Sequence, residues 1–236
     1  MNLVKLISTL TIVLCCFAFE SLADPLQSKF NLFELTKLAK AGDVKAQFRL
    51  GSAYDTGTGV RRSRNKAEKW YRMAAESGYA EAQNSLGSGY QAEEMYQEAF
   101  YWYEKAAKQN HSVAIGNLGY LYDLGLGVPQ DRQKGYELYL RSAELGWAQS
   151  MFNIGQMLGS GQLGKTDLMS GCVWTIRALK YSDHKNTKLS SNYTYDKKLK
   201  EQASATVNYC KNTLSLDEYR KAEKVANSWS PSFIDD

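Results

Sequence analysis

Leucine followed by glycine recurs at Leu50–Gly51, Leu86–Gly87 and Leu118–Gly119, with Ile154–Gly155 as a fourth pair, at intervals of 36, 32 and 36 residues. Self-similarity at a period of this length is the mark of a repeat array, in which each unit buries its apolar face only by stacking on its neighbours. A small residue stands four positions before each pair (Ala46, Ala82, Ala114, Ser150), and Tyr54, Tyr90, Tyr122 or Leu158 stands four after. Steps of four place these residues on one face of a helix, here named A.

A second helix, B, follows in register. Trp70, Leu138 and Trp174 lie twenty positions after the Leu or Ile, trailed by Ala74–Ala75, Ser142–Ala143 and Ala178. In the second unit the corresponding Trp102–Tyr103 and Ala106–Ala107 come four residues early, so that unit has lost its A–B loop. Where the loop is kept it reads Gly57–Thr58–Gly59–Val60 and Gly125–Leu126–Gly127–Val128. A glycine just past a helix supplies the left-handed C-cap and permits a tight reversal. Ser63, Asp131 and Asp167 then stand where an N-cap is needed for helix B. The glycines inside helix A (Gly51, Gly87, Gly119, Gly155) each cost about 1 kcal/mol relative to Ala. Repeating that cost at one register position predicts a helix–helix approach that a Cβ would block.

The pattern Ala46–Gln47, Leu50–Gly51, Tyr54, then Gly57, Gly59–Val60, then Lys66–Ala67, Trp70–Tyr71, Ala74–Ala75 and Gly78 resembles the Sel1-like repeat. Units two and three match it well and unit four is degenerate. The resemblance implies an all-α, α/α solenoid of about four helix pairs in a right-handed superhelix, with an adaptor or scaffold role and no enzyme activity. Together with the reading of the two ends given below, the expected division is a signal peptide (1–23), an N-terminal capping helix (24–42), four repeats (43–78, 79–110, 111–146, 147–182) and a C-terminal helical cap (183–236).

The first 23 residues read as an export signal. A short start with one cation, Lys5, precedes an apolar run from Leu6 to Phe19, and Ser21–Leu22–Ala23 offers small residues for cleavage before Asp24. The run is shorter than the roughly 20 residues of a membrane span. Lipidation at Cys15 or Cys16 is disfavoured, because no small residue precedes either cysteine. The expected destination is periplasmic or secreted, with no integral membrane segment after cleavage. Two cysteines then remain, Cys172 and Cys210, and an oxidising compartment favours their pairing. The alternative is two buried free thiols.

The caps are read from local signals. Asn31 to Ala41 resembles a lone B helix with Leu35, Leu38 and Ala39 inward and Gly42 as its stop. Near the other end, Ser215 and Glu218 have capping-box spacing, with Leu214 and Tyr219 as a hydrophobic staple. Tyr219, Ala222, Val225, Ala226 and Trp229 continue that helix. An earlier helix from about Asp196 to Lys211 carries Leu199, Ala203, Val207 and Cys210, and Tyr181–Tyr195 reads as a polar loop.

No catalytic set emerges. His111, at a turn between units two and three, and His184, in the polar loop, have no metal-ligand spacing to another His or Cys and read as solvated. Cys172 and Cys210 do not form a Cys-x-x-Cys redox motif. The glycine pairs lack the Lys–Ser/Thr and the flanking strand of a phosphate loop. No cofactor or metal is expected. The mature net charge of +4, read as mild and evenly spread, argues against nucleic acid or a membrane surface.

Residues two before and two after each Leu point away from the core face of helix A, at 100° per residue. These are Phe48 and Ser52, Asn84 and Ser88, Gly116 and Tyr120, Phe152 and Gln156, flanked by Arg49, Asn117 and Asn153. In one reading Phe48, Tyr120 and Phe152 stand in a concave groove and bind a protein partner. In the other they pack between adjacent A helices. The expected role is therefore an exported, monomeric adaptor holding a protein of unknown identity. An alternative is a periplasmic immunity protein against a secreted toxin such as an antibacterial lipase, a role held by some Sel1-like proteins that this chain resembles. Cysteine-rich relatives described as β-lactamases carry a Cys pair in every repeat, and this chain does not.

Overall fold

The computed structural model describes residues 32–182 and 193–232. Among them are eleven α-helices and no strand. They are α1 (32–40), α2 (Val44–Thr56), α3 (Arg64–Glu76), α4 (Ala80–Ala92), α5 (Tyr96–Ala107), α6 (Ser112–Leu124), α7 (Arg132–Glu144), α8 (Ala148–Ser160), α9 (Leu168–Ser182), α10 (Tyr193–Thr213) and α11 (Leu216–Asn227). The chain forms two compact units that divide after Ala82.

In the first unit, α2 and α3 are the A and B helices of the first repeat. Asp43 caps α2, its side chain accepting from the Ala46 N–H at 2.7 Å. Gly57 ends the helix in the left-handed conformation at φ 80°, a region an L side chain enters only at a cost. Ala39, Ala46 and Leu50 form the buried centre, with Leu32, Leu35, Tyr54 and Trp70 packed around it. Leu38, expected inward, is 49 % exposed. It lies only one position before the buried Ala39, about 100° around the helix.

In the second unit, α5 packs on α6, α6 on α7, α7 on α8 and α8 on α9. Asp131 caps α7 by accepting from Lys134 N–H at 2.9 Å, and Asp167 accepts from Ser170 N–H at 2.9 Å at the start of α9. His111 is a correction. It is buried, and its Nδ1 accepts from the Ala114 N–H at 3.3 Å, where a Ser or Asp would normally cap. A second buried polar chain runs from Ser150 Oγ to Ser142 Oγ and on to the Ser112 carbonyl, each step 2.8 Å. His184 lies outside the described residues.

The B-helix register position of Trp70, Leu138 and Trp174 is only half-buried, and the residue after it is buried. Tyr71, Tyr103, Tyr139 and Thr175 are buried, while Trp70, Leu138 and Trp174 are half-buried. These buried residues lie against the helix-A glycines, and a Cβ at Gly51 would come 2.7 Å from the Tyr71 ring. The close approach predicted from the glycines is therefore present, with an aromatic ring as its usual partner.

Cys172 of α9 and Cys210 of α10 form a disulfide. It sits in a cluster with Val173, Ile176, Val207, Tyr219, Ala222 and Ala226, so α10 and α11 both close on α9. Val225, on the same helix, is exposed. The Ser215–Glu218 capping box is formed, and Leu214 packs on the same cluster as Tyr219. Helix α9 runs two residues into the stretch expected as loop: Tyr181 is buried, and its hydroxyl donates to the Trp229 carbonyl at 3.1 Å. Trp229 also meets the rings of Trp174 and Tyr181 at 5.7 and 5.8 Å, with the Arg177 guanidinium 4.8 Å from its own ring. Ser232 N–H then donates to the Glu144 carbonyl at 3.0 Å and fastens the tail to the end of α7.

Candidate functional site

The sequence directs attention to the outward positions of the A helices. In the first unit, Phe48 is half-buried, its ring 5.5 Å from that of Tyr71 and 5.3 Å from that of Tyr79. Its neighbour Ser52 hydrogen-bonds the Tyr71 hydroxyl, whose pKa burial nonetheless pushes up to about 12. Phe48 and Ser52 therefore serve packing, whereas Arg49 is exposed.

The second unit divides the same way. Phe152 is only 9 % exposed and belongs to a cluster with Met151, Ile154, Leu199 and Ala203. Gly116 lies beneath the Trp147 ring and Ser150 Oγ, with no room for a side chain. The reason is shared with Phe48. The position two before the Leu faces the residue that opens the next A helix, Tyr79 or Trp147. For Phe152, α10 supplies the cover.

What remains outward on α4, α6 and α8 is polar, with one aromatic. Asn117 Nδ2 of α6 donates to Asn84 Oδ1 of α4 at 3.2 Å. One turn along each helix lie Ser88 and Tyr120. Tyr120 is 38 % exposed. The Tyr103 hydroxyl lies 2.8 Å from Gln91 Oε1 and 3.2 Å from Ser88 Oγ, which leaves the exposed Ser88 partly engaged. On α8, Gln149 Nε2 donates to Asn153 Oδ1 at 2.8 Å, and Gln156 Nε2 reaches Thr206 Oγ1 of α10 at 3.4 Å. Leu124, 47 % exposed at the end of α6, was not picked out from the sequence, because it lies outside the two outward positions of the repeat register.

This surface presents amides that each offer a donor and an acceptor, set around an amphipathic ring. Such groups match the backbone of another polypeptide and carry no chemistry of their own. Among the described residues no three His, Cys, Asp or Glu side chains gather in a metal-binding group, and no helix is long and apolar enough to cross a membrane.

Comparison with known proteins agrees with the repeat. The Sel1 repeat matches at residues 44–79, 80–111, 112–147 and 148–179. The chain is 30 % identical over 130 residues to a putative sel1-like repeat-containing protein of Acanthamoeba polyphaga mimivirus, covering 55 % of this chain and 24 % of that one. It is 29 % identical over 131 residues to chitin synthase regulatory factor 3 of Schizosaccharomyces pombe, covering 52 % and 14 %. The chain thus spans a quarter or less of the length of these relatives. Among solved structures, a protective antigen of uropathogenic Escherichia coli with an SLR fold superposes with a TM-score of 0.72 at 26 % identity, over 84 % of this chain and 40 % of that one. Proteins of this solenoid type are generally non-catalytic interaction adaptors. With four matches covering more than half of its length, the chain belongs to the Sel1 repeat family.

Proposed function

We propose that this protein is an exported, non-enzymatic adaptor that holds a partner protein on the outward face of α4, α6 and α8. The observation that carries the reading is Tyr120, an exposed aromatic beside the Asn84–Asn117 amide pair on a face whose other aromatic, Phe152, is packed away. A rigid aromatic among adaptable amides gives contact area at low entropic cost, as interaction hot spots do. Asn153, Gln156 and Ser88 extend the hydrogen-bonding surface on either side. Export is supported by the leader-like first 23 residues and by a buried disulfide, a bond that persists in oxidising compartments.

Affinity capture from envelope extract, with wild type beside Tyr120→Ala, tests the proposal. The variant is expected to lose most of its partner and keep its melting temperature, since an exposed ring contributes little to the core. Equal capture by both proteins would remove this face from the interaction. Immunity to a secreted toxin is one form the same binding could take. It predicts that deletion sensitises cells to a neighbour's toxin and that the captured protein is that toxin.

A further inference from the structure

The net charge of +4 is not evenly spread, contrary to the expectation from composition. Residues 61–72 hold Arg61, Arg62, Arg64, Lys66, Lys69 and Arg72 against one carboxylate, Glu68. They form the end of the A–B loop and the first turns of α3. Arg61, Arg62, Arg64, Lys66 and Lys69 are exposed, while Arg72 pairs with Glu68 at 2.7 Å.

The other repeats supply an internal control. In the third repeat the positions of Arg61, Arg62, Ser63 and Lys69 hold Pro129, Gln130, Asp131 and Glu137, and in the fourth they hold Lys165, Thr166, Asp167 and Val173. Helix B forms in all of them, so the fold does not require these cations. Lys66 is different. Its Nζ lies 5.1 Å from the Tyr54 ring centroid, as that of its counterpart Lys134 lies 4.2 Å from the Tyr122 ring, so this lysine belongs to the repeat. Arg64 likewise has a counterpart in Arg132. Arg62 and Lys69 have no cationic counterpart in the third or fourth repeat, and Arg61, matched only by Lys165 in the fourth, stands beside Arg62 in the loop.

The placement of Arg61 and Arg62, just before α3, also opposes local stability. The first turn of α3 has no acidic residue, and Ser63 makes no side-chain capping bond there, whereas Asp131 does in the third repeat. Cations at the positive end of a helix dipole are unfavourable. Among the described residues, no carboxylate lies within ion-pair distance of Arg61, Arg62 or Lys69. The first repeat thus concentrates positive charge where its own fold gains nothing from it.

We propose that Arg61, Arg62 and Lys69 form a docking surface for an acidic segment of a partner protein. This rests on the adaptor reading and names the chemistry of one partner surface. Arginine forks pair bidentately with carboxylates and lysine adds a point charge, so charge complementarity selects an Asp/Glu-rich segment. A bilayer fits less well. The large apolar side chain exposed on α3, Met73, lies about 13 Å along the helix from the arginine-bearing end, leaving no apolar anchor beside the cations.

The test uses the mature protein and a fluorescein-labelled Glu–Ser repeat peptide, read by fluorescence anisotropy at low and physiological salt. Arg62→Gln with Lys69→Glu installs residues that the third repeat already carries, so folding should be retained, with the melting temperature as control. Arg61→Gln, in the loop, probes the same surface without altering the helix. The double variant is expected to weaken peptide binding roughly fivefold to tenfold, and added salt to weaken the wild type similarly. Unchanged affinity in both variants would overturn the surface. So would an absence of peptide binding, which leaves a solvated face, or tighter, variant-sensitive binding to phosphatidylglycerol vesicles, which reassigns it to a membrane. Capture of an envelope protein that depends on Tyr120 but ignores Arg62→Gln/Lys69→Glu would also overturn it and leave the adaptor reading intact. Peptide binding lost in the variants without any captured protein would support the surface and count against the adaptor.

Discussion

A Cβ added to Gly87 would lie 2.5 Å from ring carbon Cδ1 of Tyr103. The same relationship joins Gly51 to Tyr71 and Gly119 to Tyr139, and at Gly155 the partner is Thr175 Oγ1, 2.5 Å away. The sequence separation is 16 residues for Gly87 and 20 for the other three. Deleting the loop in the second repeat therefore preserved the contact between helices A and B.

Gly87→Ala is expected to destabilise by about 1–3 kcal/mol, although alanine is the better helix former, because overpacking against a buried ring outweighs propensity. The Tyr103 hydroxyl, held near Gln91 and Ser88, resists displacement of that ring. Gly89, two residues on in the same helix, has open space where a Cβ would stand, with nothing within 4 Å. Gly89→Ala should stabilise by up to about 1 kcal/mol. Urea midpoints of the two variants, moving in opposite directions, are the measurement.

Glu94 occupies the left-handed region at φ 60°, in the short connection that replaces the lost loop. A side chain there costs about 1–2 kcal/mol, offset in part by the backbone entropy that glycine loses on folding. Glu94→Gly is expected to raise stability by roughly 0.5–1 kcal/mol. Gly125→Ala, at φ 71°, should lower it. A thermal melt in which Glu94→Gly is the less stable protein would contradict the strain argument.

The Cys172–Cys210 bridge spans 38 positions of sequence and holds α10 to α9. Its removal by Cys172→Ala with Cys210→Ala should cost about 4 kcal/mol in the chain-entropy model. Limited proteolysis should then cut first within α10, which the bridge and α9 otherwise restrain. Equal melting temperatures with and without reductant would show that packing alone holds the helix.

Tyr71 and Tyr103 titrate at about 12, raised from 10.0, chiefly because burial disfavours the phenolate. Asp55 raises Tyr71 further, while the hydrogen bonds that Tyr71 shares with Ser52 and Tyr103 with Ser88 act the other way. A raised acid pKa means that the folded state prefers the neutral ring. The associated stability is complete below pH 10 and is lost as the pH rises through about 12. Phenolate absorbance during alkaline titration should show two late tyrosines that ionise together with unfolding. In Tyr103→Phe the later part of that signal should shrink.

The repeat, its glycine-bearing A helices, the left-handed Gly57 and Gly125 caps, the Asp131 and Asp167 N-caps and the Ser215–Glu218 box are all set by residues within one helix or one turn of each other. A helical period of 3.6 and the geometry of a cap are local properties, so sequence alone determined them. It also brought the paired cysteines to notice, because few residue types other than Cys have such a narrow use in an oxidising compartment.

Tertiary structure decided which outward side chains are free. Phe48 and Phe152 share a register position that the sequence left open between groove and packing; Tyr79 covers one and the cluster with Leu199 and Ala203 covers the other. Tyr120, on the same outward side, stays exposed. A single helix has one periodicity and reveals one buried face. In a stacked array a second face is buried by the neighbouring helix, and only the packed structure identifies that neighbour. His111 follows the same logic: its place at a turn was legible, but its burial and its bond to Ala114 arise from the helices that close around it.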